Sequence, residues 1–107
     1  MTEAMTRPLP LRPEIPVFEL GADIDLLNAD AIGDALCAGL ERHRKPIVVD
    51  LTEVTFIDSS AMSMMLRVHQ HAESLRSSVV WRGARAQVAD ALSITGVDEL
   101  LQTERST

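Results

Sequence analysis

Residues 45–75, KPIVVDLTEVTFIDSSAMSMMLRVHQHAESL, begin as strand and end as helix. Ile47-Val48-Val49 is a β-branched run of the kind that packs in a sheet buried on both faces. Asp50 ends that run. Val54-Thr55-Phe56-Ile57 is a second apolar segment, leading into Asp58-Ser59-Ser60. From Ala61 the apolar spacing changes to that of a helix. Ser and Asp side chains accept hydrogen bonds from the free N–H groups of a first helical turn. Two hydroxyls therefore stand at the positive end of a helix, on the edge of a sheet.

On a wheel at 100° per residue, Ala61, Met62, Met64, Met65, Leu66, Val68, Ala72 and Leu75 occupy an arc of about 200°, interrupted by His69 and Glu73. Ser63, Arg67, Gln70, His71 and Ser74 share the other side. A surface helix needs an apolar stripe only somewhat over 100° wide. Either the helix is wedged between the sheet and a second helix, or an edge near Met62 or Met64 stays exposed for a partner. Thioether chains adapt to foreign surfaces, which suits the second reading. His69, on the apolar arc, reads as a satisfied, half-buried histidine.

Working outward, residues 1–16 hold Pro8, Pro10, Pro13 and Pro16, which exclude a central strand. They form an extended arm, with Arg7 to Leu11 as a possible edge strand. Val17 to Leu20 reads as a strand closed by Gly21, followed by a loop with Asp23 and Asp25. Asn28 or a neighbour caps the next helix, with Asp30 in its first turn. Ile32, Leu36 and Leu40 form its apolar face, flanked by Ala35 and Gly39, and Pro46 stops it. Val79-Val80-Trp81 is a third strand, ended by Gly83. Ala84 to Ser93 is helical, Gly96 is a C′ residue or turn, and Val97 to Leu101 is a short last helix. Residues 17–102 then form one domain, and 103–107 a loose tail. Helices between successive strands predict an α/β domain with a mostly parallel sheet.

The chain has 107 residues, enough for one core. Its net charge of −6 makes nucleic acid and anionic lipid surfaces poor partners. Lys45 is the single lysine, and the arginines form no basic run. No apolar stretch approaches the roughly 18 residues of a membrane span, and the N-terminus has no signal core, so a cytoplasmic protein is expected. Cys37 is the only cysteine, which excludes an internal disulfide. His43, His69 and His71 show no metal-ligand spacing, and neither a metal nor a cofactor is expected.

An enzyme is not expected either. The chain lacks the G-x-S-x-G nucleophile elbow and any glycine-rich phosphate loop. Asp58 beside Ser59 does not activate a nucleophile, and His69 and His71 lie roughly 15–18 Å along the helix from Ser59. What remains for a hydroxyl at a helix start is to cap the helix or to accept phosphate. A phosphoserine brings about 1.5 to 2 negative charges, which the helix N-terminus tolerates and a docked partner does not.

Val48-Val49-Asp50-Leu51, Val54 and Phe56-Ile57-Asp58-Ser59-Ser60-Ala61-Met62 resemble the STAS domain of bacterial anti-sigma factor antagonists, whose pattern is strand, aspartate, short loop and D-S-S/T-G-L. Leu20 to Asp25 resembles that family's G-E-L-D loop, and Val88 to Leu101 its last two helices. The resemblance implies a mixed, mostly parallel sheet of about four or five strands with about four helices. It implies a monomer or weak dimer that binds an anti-sigma factor with serine kinase activity and so frees the sigma factor. The kinase uses ATP, and a separate serine phosphatase reverses the modification. Carried over, the phosphoacceptor is Ser59, with Ser60 as second choice. The partner-binding surface comprises Asp25, Asp58, Ser59, Ser60, Met62, Ser63 and Met64. The alternative is a STAS scaffold or accessory subunit, in a transporter or a stress-signalling complex, to which no phosphate is added. Ala22 and Ala61 stand where the family has glycine. If either backbone site needs positive φ, alanine costs on the order of 1 kcal/mol.

Overall fold

A computed structural model describes residues 15–104. The elements run β1 (Val17–Ile24), α1 (Ala29–His43), β2 (Ile47–Ile57), α2 (Ser59–Ser74), β3 (Val79–Arg82), α3 (Ala86–Ile94), a 3₁₀ turn (Val97–Glu99) and β4 (Gln102–Glu104). The strands lie in the order β1-β2-β3-β4, and every pair is parallel. Among the described residues the sheet is thus wholly parallel rather than mixed, with three α-helices rather than about four. The expected last helix is the 3₁₀ turn, entered through Gly96 at φ 80°. Thr103 and Glu104, assigned above to the tail, pair with Trp81 and Arg82 as strand. The edge strand expected at Arg7 to Leu11, with the rest of residues 1–14 and 105–107, lies outside the described residues.

Each strand is followed by its spatial neighbour in the same direction, so right-handed crossovers place all three helices on one face of the sheet. Among the described residues only that face carries helices, which corrects the expectation of a sheet buried on both faces. Ile47, Val49, Leu51, Val79 and Trp81 point to the helices and are fully buried. Their neighbours Val48, Asp50, Val80 and Arg82 point the other way and are only half-buried.

The helices are seated by small residues. Gly39 in α1 faces the Phe18 ring, where a methyl group would stand 2.6 Å from Cζ. Gly33 lets α1 approach α2, since a methyl there would stand 2.8 Å from Met64 Cγ. Of the two readings of α2 the first therefore holds, and neither Met62 nor Met64 forms an exposed edge. The wide arc is wedged between sheet and α1, with Ala61, Met64, Met65, Val68 and Ala72 buried. Arg44, left-handed at φ 53°, closes α1 by donating its N–H to the Leu40 carbonyl at 2.9 Å.

β2 is one strand of 11 residues, not two segments parted at Asp50. Between Glu19 and Gly21, and again between Gly21 and Asp23, β2 advances three residues while β1 advances two. Each step is a bulge that adds one residue to β2. Burial along β2 accordingly shifts from every second residue at 47, 49 and 51 to every third at 54 and 57. Asp50 holds the first bulge, its Oδ1 accepting the Thr52 N–H at 2.8 Å. The Thr52 hydroxyl and N–H, and then Arg82, hold this carboxyl below its ordinary value. A depressed folded-state value stabilises the fold above the unfolded value near pH 3.9, and that stabilisation is lost as pH falls through the folded value. Asp50→Asn is therefore expected to flatten the acid limb of the stability curve below about pH 4. Urea midpoints across pH 2–6 that run parallel for both proteins would exclude this role.

Candidate functional site

The paired residues Ile24 and Ile57 close β1 and β2, so Asp25 and Asp58 leave the sheet side by side. The Asp58 N–H reaches back to the Ile24 carbonyl at 3.4 Å. Asp58 is extended at φ −117°, and its Oδ1 accepts the Ala61 N–H at 3.0 Å. The cap of α2 is thus the aspartate, and neither serine supplies it. Ser59 and Ser60 occupy the first two helical positions, Ser59 exposed and Ser60 half-buried. Asp58→Ala is expected to lower stability by about 1 kcal/mol, and Ser59→Ala by less than about 0.5 kcal/mol. Equal urea midpoints for the two variants would show that the cap is shared.

Asp25 shapes the neighbouring loop. Its Oδ1 accepts the Leu27 N–H and its carbonyl accepts the Ala29 N–H, both at 2.9 Å. Asn28, expected to cap α1, turns its amide into the loop, accepting from Asp25 N and donating to the Asp23 carbonyl, each at 2.9 Å. The loop so held projects Leu26 and Leu27, 78% and 92% exposed. Phe56 and Ile94 are also exposed. Sequence patterning missed these four, because an apolar residue in a loop or at an element's end carries no periodic signal. Two leucines in succession between Asp25 and Asn28 were the available sign.

A cleft of about 300 Å³ lies between this loop, the start of α1 and the first turns of α2. Leu26, Ala29, Asp30, Ser59, Ser60, Ser63, Met64 and Arg67 line it. Of the expected surface residues, Ser59, Ser60 and Ser63 open onto this cleft. Met62 is half-buried and turned toward α3, its Sδ 3.3 Å from Thr95 Oγ1. Met64 is 3% exposed and belongs to the core, because α1 covers it at Gly33. It contributes to the cleft only at its base.

Ala22, beside the double bulge, has φ 60°, whereas Ala61 is helical and fully buried. One of the two glycine replacements therefore stores strain. A left-handed alanine costs about 1–2 kcal/mol, against roughly 0.5–1 kcal/mol from glycine's greater freedom when unfolded. Ala22→Gly is expected to raise stability by about 0.5–1 kcal/mol. An unmoved or lowered urea midpoint would contradict that account.

The other polar groups offer less chemistry. His71 Nε2 meets Glu41 Oε2 at 2.8 Å. His69 Nε2 lies 3.4 Å from Glu73, while its buried Nδ1 has no partner among the described residues, so this histidine is half satisfied there rather than satisfied. Cys37 is partly buried, and desolvation raises its thiol above the ordinary value, which keeps it unreactive. Among the described residues no group of three metal-ligating side chains converges, and no helix is long and apolar enough to cross a membrane.

The sequence profile of the family described as Mlab, STAS domain matches residues 9–102. This chain belongs to that STAS family. No curated protein matches it in sequence. Among solved structures, a Thermotoga maritima protein described as an anti-sigma factor antagonist aligns with TM-score 0.73 at 20% identity, over 88% of this chain and 84% of that one. The anti-sigma factor antagonist SpoIIAA in its unphosphorylated form aligns with TM-score 0.63 at 13% identity, over 85% of this chain and 79% of its own. The STAS domain of a SulP transporter from Vibrio cholerae gives 0.70 at 17% identity, over 97% and 82%. At these identities the likeness is one of fold. The STAS fold thus occurs both in antagonists and in a transporter.

Proposed function

We propose that this STAS domain is an anti-sigma factor antagonist. It docks through the loop at Asp25–Leu27 and the first turns of α2 onto an anti-sigma factor with serine kinase activity, and phosphorylation of Ser59 ends the association. The observation that carries this reading is the division of labour at the start of α2. Asp58 makes the cap, so the exposed Ser59 hydroxyl is released from structural duty. Ser59 Oγ attacks the γ-phosphorus of ATP held by the kinase, an Oγ–P bond forms, ADP leaves, and a base of the kinase takes the hydroxyl proton. A serine phosphatase hydrolyses the ester and resets the switch. The expected setting is the cytoplasm, where ATP is supplied.

The test is incubation with the cognate kinase and ATP, followed by intact-mass measurement. One phosphate is expected, retained in Ser60→Ala and lost in Ser59→Ala. Labelling that persists in Ser59→Ala would move the acceptor elsewhere.

The likeness to the SulP domain and the Mlab family profile favour a second reading, an accessory subunit that is never phosphorylated. Exposed Leu26 and Leu27 would suit a permanent contact. Purification from its own cells together with an ATP-binding cassette subunit, with Ser59 unmodified, would support this reading over the first.

A further inference from the structure

We propose that Arg67 is the built-in counter-ion of phosphorylated Ser59, drawing the phosphoryl group into the cleft between α1 and α2. The inference rests on the reading of Ser59 as phosphoacceptor and adds how the modified state is held. Ser59, Ser63 and Arg67 succeed one another at four-residue spacing, so they lie along one face of α2. All three line the 300 Å³ cleft. Helical side chains lean toward the N-terminus, which carries the guanidinium back toward Ser59. Its Nη2 lies over Gly33 and 3.5 Å from the carbonyl of Asp30, in the first turn of α1, which also lines the cleft.

The guanidinium is poorly satisfied where it stands. Its carboxylate contact, Nη1 to Asp34 Oδ1, is 3.4 Å long, and Asp34 is 77% exposed. A well-formed charge-assisted bond measures about 2.7–2.9 Å, and an exposed pair of this kind contributes little. A phosphoryl group offers nearly twice the charge and three acceptor oxygens, with a fork geometry that guanidinium matches. It therefore displaces Asp34 and the Asp30 carbonyl as Arg67's partner. Asp34 returns to solvent at negligible cost. Ser63 stands between the two groups, and its hydroxyl donates to the phosphate. Asp30 and Asp58 are the nearby carboxylates that oppose the arrangement, and among the described residues Arg67 is the one cation lining the cleft. The result is more than added charge. The modified side chain fills the cleft that a docking partner would otherwise use.

The test uses full-length protein with phosphoserine encoded at position 59, so no kinase is required. The ³¹P resonance is titrated in the wild-type background and in Arg67→Gln and Arg67→Lys. The second phosphate ionisation is expected to rise by roughly half a unit or more in Arg67→Gln, with partial return in Arg67→Lys. The Arg67 side-chain N–H resonance of the otherwise unsubstituted protein is expected to shift downfield on phosphorylation. That readout survives if a variant folds poorly. Superimposable titrations in folded variants, or an Arg67 resonance that ignores the phosphate, would overturn the proposal. Neither outcome bears on whether a kinase acts at Ser59, which the labelling experiment decides separately.

Discussion

Trp81→Ala is expected to lower the free energy of unfolding by about 3–5 kcal/mol, the usual range for removing a buried aromatic side chain. With a total of about 5–15 kcal/mol, a domain of this size has a large share of its stability at stake in such a change. Trp81 is 1% exposed and lies on the helix-facing side of β3, paired with Val49 of β2. It also walls a second cleft of about 450 Å³, shared with Leu51, Ala89 and Leu92. Truncation joins the vacated volume to that open cleft, so water enters and the loss falls toward the lower end of the range. The indole Nε1–H is buried without a partner among the described residues. Trp81→Phe removes that unsatisfied donor while keeping most of the apolar area, and it is expected to cost less than about 1.5 kcal/mol. Urea unfolding followed by circular dichroism gives both values, since Trp81 is the only tryptophan and its fluorescence vanishes with it. Equal losses for the two variants would mean that the indole nitrogen, not the packed ring, supports the core.

The start of α2 was legible because its chemistry is local. An aspartate and two serines before an apolar period mark a helix N-terminus whatever surrounds it. What residue type alone left open was which of the three makes the cap, and the geometry gives that to Asp58. The parallel α/β order was legible for the same reason, from strands and helices alternating along the chain. Features that depend on two segments at once were not. The double bulge makes β2 look like two strands with a loop between them, because burial every third residue matches neither helix nor strand. Met64 reads as an exposed edge until α1 is laid over it at Gly33. Gly33 itself was overlooked in favour of Ala35, which is exposed. The single covered face of the sheet follows from strand order, and a short β-branched run looks alike whether one face or two are covered.

Phosphoserine at position 59 is expected to weaken capture by the proposed kinase partner by about 100-fold, roughly 2.7 kcal/mol, while leaving the fold at least as stable as before. The two effects come from one location seen from two sides. From within, the modified residue is at the first position of a 16-residue helix, where free N–H groups and the helix dipole favour an anion. Stability should therefore stay level or rise by a few tenths of a kcal/mol. From without, a docking surface must strip water from a dianion that lies beside Asp58 and Asp30 on a chain of net charge −6. Ser59→Glu carries half the charge, one trigonal group and less bulk, so its loss should be smaller, on the order of 10-fold. Ser59→Ala should bind like the unmodified protein. Calorimetric titration of the partner with these three forms and the unmodified protein, alongside their urea midpoints, separates the causes. If phosphorylation weakened binding only in step with a falling midpoint, the modification would be acting by unfolding the corner. Unchanged binding with an unchanged midpoint would mean that the partner docks elsewhere, and the exposed hydroxyl would have no part in the switch.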